Sequence, residues 1–167
     1  MEWIIENWEY ALIIILSMDK AVALSPSTWD DLIWTSIKKA IYKAVGKEQS
    51  KQRMVGIDPR LREVLDELIK IMDVTIIEGI RSPERQEELV KKGASKTKYS
   101  KHLEGKAVDL APYPIDWNDR DRMHYMGGMA RGIGLKLGHN IRWGGDWDSD
   151  GEVADNSFDD LVHIEVL

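Results

Sequence analysis

The stretch Ser100-Lys101-His102-Leu103-Glu104-Gly105-Lys106-Ala107-Val108-Asp109 sets an imidazole and a carboxylate seven positions apart, with a glycine between them. A second stretch, Asp160-Leu161-Val162-His163-Ile164-Glu165, offers another imidazole flanked by carboxylates. Two histidines and an aspartate, with a carboxylate to spare, are a donor set for a hydrolytic zinc centre, which takes three protein ligands and keeps a fourth position open. The same residues suit a plainer reading, a histidine on a capped loop beside a buried salt bridge. Spacing alone does not choose between the two.

Positioning decides whether such groups work together. His102 reads as the end of a polar loop, residues 94–101, and Gly105 permits a tight turn that other residues resist. Ala107-Val108-Asp109-Leu110-Ala111 is apolar apart from its aspartate and reads as a strand entering the core. A carboxylate there is costly unless it is paired or binds a metal. Residues 162–167 alternate with period two, so His163 and Glu165 share one face and Val162, Ile164 and Val166 the other.

Upstream, Asp58-Pro59 predicts a helix start, and Leu61, Val64, Leu65, Leu68, Ile69 and Met72 its buried stripe. Val74 to Glu78 is β-branched and strand-like. Ser82-Pro83 opens a helix that Gly93 ends. Asn118 or Asp119 caps a helix running to Leu137. Gly127, Gly128, Gly132 and Gly134 weaken that helix by up to ~1 kcal/mol each against alanine, which predicts a close packing contact or a break. Ile141 to Trp143 is a short strand, and residues 144–158 form a long acidic loop. Helices that precede and interrupt a few short strands, without βαβ alternation, predict an α+β fold with a small, mainly antiparallel sheet and flanking helices.

The composition is 43% apolar and 31% charged, which carries a packed core and argues against disorder. There is no cysteine, so histidine and carboxylate must hold any metal. The net charge of −6 argues against a nucleic-acid partner, which calls for a basic surface.

Residues 1–50 differ in kind from residues 51–167 and read as an N-terminal helical appendage. Tyr10 to Met18 is apolar but for Ser17, and is far shorter than the ~20 residues needed to span a bilayer. Trp3, Trp8 and Tyr10 are candidate interfacial anchors. Ser25-Pro26-Ser27 breaks this first helix, and Thr28-Trp29-Asp30-Asp31 is a variant capping box for the next. Leu32, Ile33, Ile37, Ala40, Ile41, Ala44 and Val45 then recur at helical spacing, with Lys38, Lys39, Lys43 and Lys47 on the other positions. Gly46 is the expected stop and residues 47–56 the expected linker. Three readings stand: association with a membrane through residues 1–50, inserted or on its surface, packing of this segment on the larger domain, or a signal-anchor that later leaves the membrane.

The Ser-x-His-x-x-Gly-x-Ala-x-Asp pattern of residues 100–109, with Asp-x-x-His-x-Glu at 160–165, resembles the VanY-like zinc peptidases. That group includes D-alanyl-D-alanine peptidases and phage L-alanyl-D-glutamate endopeptidases. Glu78-Gly79-Ile80-Arg81-Ser82, Ser95-Lys96-Thr97 and Trp143-Gly144-Gly145-Asp146-Trp147 match as well. The terminal Asp-x-x-His and Ile115-Asp116-Trp117-Asn118-Asp119 are most like the phage endolysin branch. Residues 1–50 lie outside the resemblance.

The resemblance implies Zn2+ held by His102, Asp109 and His163, with Asp160 as general base in place of the commoner glutamate. It implies that Arg81 binds substrate and stabilises the oxyanion, and that Ser100 is a hydrogen-bond donor near the site. Glu165 reads as orienting a ligand, and Trp143 and Trp147 as groove walls or core filling. The implied activity is a peptidoglycan endopeptidase of phage-type cell lysis that cuts the L-alanyl-D-glutamate bond of stem peptides. A D-alanyl-D-alanine carboxypeptidase and a non-enzymatic, membrane-associated lysis protein are the alternatives. The expected state is a monomer, in the host cytoplasm or at the inner membrane before release to the periplasmic cell wall. Asp146 to Gly151 also matches the first half of a calcium loop but has Ser157 where glutamate belongs. Ca2+ at residues 146–152 therefore stands as an alternative to a solvated acidic loop.

Overall fold

The computed structural model describes residues 7–24 and 28–167. The chain divides into two compact units, Met1–Gln49 and Ser50–Leu167. In the first, helix α1 (Trp8–Ala23) and most of helix α2 (Thr28–Arg53) form a pair. Ala11, Ile15 and Val45 are buried. Asp19 ties the helices by accepting from Trp34 Nε1 at 2.7 Å and Lys38 Nζ at 2.5 Å. Ile13, Ile14 and Leu16 of the apolar run are more than half exposed. Trp3, the break at Ser25-Pro26-Ser27 and the side chains of the capping box at 28–31 lie outside the described residues.

Gly46 does not stop α2, which continues to Arg53. The reason lies in the second unit, to which residues 50–53 belong. Ser50 Oγ accepts from the backbone N–H of Ile76 at 3.1 Å, Arg53 Nη1 donates to Ile76 O at 2.7 Å, and Met54 is buried in the core. These contacts outweigh the ~1 kcal/mol cost of one glycine in a helix. What reads as linker is therefore helix for most of its length.

The second unit is a four-stranded antiparallel sheet with helices. Its elements are α3 (Pro59–Ile71), β1 (Val74–Glu78), α4 (Pro83–Lys91), a 3-10 turn (Lys101–Glu104), β2 (Ala107–Pro112), α5 (Arg120–Leu137), β3 (Ile141–Gly144) and β4 (Asp160–Val166). The strand order is β1-β2-β4-β3, with every neighbouring pair antiparallel. The α+β expectation and its small antiparallel sheet hold. The caps act as their residue types predict: Asp58 accepts from Arg60 N at 2.9 Å, Ser82 from Arg85 N at 3.2 Å and Asp119 from Arg122 N at 3.1 Å.

Leu61, Val64, Leu65 and Leu68 of α3 are fully buried, each contributing roughly 1.5–3 kcal/mol. Helix α5 is unbroken, and its glycines mark close packing. A Cβ at Gly127 would lie 2.3 Å from the Trp143 ring, and one at Gly134 would lie 2.4 Å from Ile141. The helix can therefore approach β3 only without those side chains.

Candidate active site

Register brings the two motif halves together. Asp109 on β2 is paired directly with His163 on β4, and Glu78 on β1 faces Asp109 from the other side. His102 arrives from the 3-10 turn. Ser100 Oγ caps that turn by accepting from His102 N at 3.4 Å, and Gly105 ends it with φ +69°. A Cβ at Gly105 would lie 2.8 Å from Gly56 O, so this position needs glycine twice over. Backbone bonds from Arg81 N to His102 O (3.1 Å) and from Asp58 N to Gly105 O (2.8 Å) pin the turn to its surroundings.

Three ligand atoms converge. His102 Nε2 lies 3.2 Å from Asp109 Oδ1 and 3.3 Å from His163 Nδ1, which is 3.1 Å from the same Oδ1. Tetrahedral zinc with bonds of ~2.0–2.1 Å requires ligand–ligand edges of about 3.3–3.4 Å, close to this triangle. The far side of each imidazole is engaged as well. His102 Nδ1 lies 2.7 Å from Gly79 O, and a carbonyl only accepts, so that nitrogen carries the hydrogen. His163 Nε2 lies 3.1 Å from Glu165 Oε2, which likewise only accepts when ionised. The two nitrogens left facing Asp109 therefore present lone pairs to a carboxylate oxygen. Three lone pairs at this separation repel unless a cation sits among them, a metal ion or a proton. The donor set fits a metal, and the hydrogen bonds behind it fix the tautomers such a site needs.

The electrostatics describe the proton alternative. Burial works to raise the Asp109 carboxyl, but hydrogen bonds to His102 and His163 prevail and hold it well below the usual carboxylate range. Burial works to lower the His163 imidazole, but Asp109 and then Glu165 prevail and push it up to about 9. Without metal, His163 is an imidazolium between two carboxylates. Asp160, at the start of β4, is raised above the ordinary aspartate value by burial first and by the charge of Asp109 next. A bulge re-aims it: Trp143 pairs with Ile164, yet Gly144, the next residue, pairs with Asp160. A Cβ at Gly144 would lie 2.3 Å from Asp160 O, so glycine permits this approach.

A cavity of about 580 Å3 opens over the cluster, lined by Arg81, Ser100, Trp147, Phe158 and Asp160 among others. Arg81 is buried, with its donors largely engaged. It bonds Glu78, Gln86 Oε1 at 2.7 Å and Asp109 Oδ2 at 3.3 Å. Asp109 thus gives one oxygen to the histidines and the other to Arg81. Arg142 pairs with Glu165 behind His163. Glu78, Gln86 and Arg142 join the site without a role that their sequence positions announce. Glu78 carried a signal, since it stands in the Glu-Gly-Ile-Arg-Ser match, whereas Arg142 had only its place beside Trp143.

The structure does not bring Trp143 to the cavity. It is buried and donates to Leu161 O at 2.8 Å, so it fills the core and does not wall the groove. Trp147 takes that place, its ring centroid 5.5 Å from that of His163. The acidic loop does gather Asp146, Asp148 and Asp150, with ligand atoms within 4.8 Å of one another. Arg131 already pairs with the buried Asp146, whose carboxylate also accepts from Gly151 N at 3.1 Å, while Asp148 and Asp150 are exposed. Calcium there finds no support.

An α+β domain that converges two imidazoles and a carboxylate beneath an open cleft is built as a metallohydrolase, and the comparisons narrow the class. The family model for phage L-alanyl-D-glutamate peptidase matches residues 41–167. The L-alanyl-D-glutamate peptidase of Escherichia phage T5 is 33% identical over 118 residues, covering 66% of this chain and 85% of that protein. The crystal structure of the Serratia marcescens L-Ala D-Glu endopeptidase ChiX superposes with a TM-score of 0.62 and 28% identity, over 71% of this chain and 86% of that one. A vancomycin-resistance D,D-pentapeptidase, VanY, solved with Zn(II), gives a TM-score of 0.45 at 16% identity, over 66% of this chain and 72% of that one. This chain belongs to the phage L-alanyl-D-glutamate peptidase family.

Proposed function

We propose that the chain is a zinc-dependent peptidase that cuts the L-alanyl–D-glutamate bond of peptidoglycan stem peptides during phage-type lysis. The observation that carries this is the triangle of His102 Nε2, His163 Nδ1 and Asp109 Oδ1, in a family of peptidases that act on that bond. When bound there, zinc lowers the pKa of water and polarises a carbonyl. Glu165 and Gly79 O hold the two imidazoles in the required tautomers. Asp160 accepts the proton of the attacking water and returns it to the leaving amine; its raised pKa suits both directions of transfer. Arg81 lines the cleft while bonded to Glu78, Gln86 and Asp109, so it adds fixed positive charge near the place where the scissile carbonyl oxygen gains negative charge. Ser100 acts through the turn it caps, and it is no nucleophile.

Mass spectrometry of muropeptides after digestion tests the bond. The expected products carry a new amino terminus on glutamate. Loss of a terminal alanine alone would make the enzyme a D-alanyl-D-alanine carboxypeptidase.

A second reading concerns the first unit. Among the described residues no helix is long and apolar enough to cross a membrane. Yet Tyr10, Ile13, Ile14, Leu16 and Leu24 of the α1 segment are each more than half exposed. Such a helix, beside a lysine-bearing one, suits the surface of an anionic leaflet. Residues 1–50 then hold a monomeric enzyme at the inner face of the host membrane until lysis releases it to the wall. Flotation of the full chain with anionic liposomes tests this, and a chain that ignores lipid refutes it.

A further inference from the structure

Four cationic side chains line the cleft: Arg81, Lys96, Lys101 and Arg142. Two of them are already ion-paired with carboxylates. Arg81 serves Glu78 and Asp109, and Arg142 serves Glu165. Glu104 is paired with Lys106 at 2.6 Å, so Lys101 adds only its charge there. Lys96 has no carboxylate partner among the described residues. Its ammonium instead stands 4.0 Å from the centroid of the Phe158 ring.

That ring is itself placed. Phe158 stacks on Trp147, with centroids 6.3 Å apart and planes 16° from parallel. The Trp147 indole donates to Phe158 O at 2.9 Å, which locks the pair. Trp147 in turn packs against His163. An aromatic wall therefore runs from a ligand histidine to a positive charge at the rim of the cleft. A cation held by a ring face in a solvated position is held weakly, and an anion entering the cleft displaces or shares it at little cost.

We propose that Lys96, held by Phe158 and Trp147, is the specificity residue that reads the free carboxylate of the glutamate on the leaving side of the scissile bond. The inference rests on the L-alanyl–D-glutamate reading above. Glutamate carries two carboxyl groups, and a linear chain continues through only one of them. The residue that departs with the new amine therefore brings an anion with it. Arg81 and Arg142 are ion-paired, and Lys96 stands without a carboxylate partner among the described residues, on the aromatic wall that begins at His163. A stem peptide in which that carboxylate is a primary amide makes a poor substrate.

The test uses two synthetic stem peptides that differ only there, carboxylate against primary amide, with the zinc-loaded full chain. The readout is the ratio of their kcat/KM values. The wild type favours the acid by roughly 10-fold or more, the worth of a charge-assisted hydrogen bond at a partly exposed site. In Lys96→Gln the ratio collapses towards one through a raised KM for the acid, and Lys96→Arg restores much of it. A ratio that survives Lys96→Gln, or an equal fall on both peptides, overturns the proposal.

Binding of the glutamyl product peptide, followed by tryptophan fluorescence, separates this from failure of the bond assignment. If the wild type cuts neither peptide but binds that product in a Lys96-dependent way, the bond is wrong and the carboxylate subsite stands. Binding that does not change in Lys96→Gln removes the subsite whatever bond is cut.

Discussion

Among the described residues two clusters each bring three potential ligand atoms within 4.8 Å of one another, and of these two the histidine-bearing one has the build of a metal centre. Around His102, Asp109 and His163, the second polar atom of every ligand side chain has a partner: Gly79 O, Arg81 and Glu165. Those partners leave three lone pairs pointing at one spot. Around Asp146, Asp148 and Asp150 the order is reversed. Arg131 neutralises the one buried carboxylate, and the other two face solvent, where hydration satisfies them without an ion. Proximity of acidic groups is cheap at a surface. Convergence of lone pairs in a protein interior is costly, and it persists only where a cation repays it.

The contrast breaks most visibly at the ligands. His102→Ala, Asp109→Ala and His163→Ala should each lose zinc, measured as metal content of the purified protein, and lose activity by more than the removal of any proton-transfer group would. Full zinc stoichiometry in all three would sink the assignment. Next comes Asp160→Asn, which should keep zinc and lose hydrolysis by roughly 10²- to 10⁴-fold. An active Asp160→Asn beside a dead Glu165→Gln would exchange their roles.

The support behind the ligands predicts a smaller effect. Glu165→Gln should weaken zinc affinity by about 10- to 100-fold, as read from competition with a chelator. The same region gives a pH signature. The His163 imidazole of the metal-free protein is pushed up to about 9, above its ordinary 6.5. Its charged-state contribution to stability is therefore complete below about 6.5 and lost as pH rises through 9. Zinc needs the deprotonated ring, so its affinity moves the other way and rises across that window. Adding zinc to weakly buffered, metal-free protein at pH 7 should release about one proton from His163, whereas the metal-free melting temperature should fall between pH 6.5 and 9. Zinc uptake without proton release would mean that His163 is already neutral.

The smallest effect belongs to the other cluster. Asp148→Asn and Asp150→Asn should leave zinc content and kcat/KM unchanged and shift stability by no more than ~0.5 kcal/mol. A calcium-dependent rise in melting temperature that disappears in these variants would restore calcium to the acidic loop.

Much of this was legible in the residues. Period-two alternation put His163 and Glu165 on one face of β4, and capping chemistry set the starts of α3, α4 and α5. A glycine between imidazole and carboxylate announced the tight turn that Gly105 makes. These are local properties, fixed within a few residues by backbone sterics and side-chain reach. The failures were all matters of what comes from elsewhere in the chain. Arg131 reaching Asp146, Arg142 reaching Glu165 and Arg81 reaching Asp109 are separated by 15, 23 and 28 positions. Gly46 looked like a helix end because the hydrogen bonds that carry α2 onward come from Ile76.

The choice between Trp143 and Trp147 shows the division most plainly. Both stand in one five-residue motif, and nothing in their types separates them. Strand pairing and the close approach of Gly127 bury the first in the core, and past the bulge between Trp143 and Gly144 the second walls the cleft. The sequence by itself determined which residues were chemically able to bind a metal and which local turns would present them. The tertiary structure alone decided which charges were already neutralised and which lone pairs met, because pairing across a sheet depends on register between segments that the chain order keeps far apart.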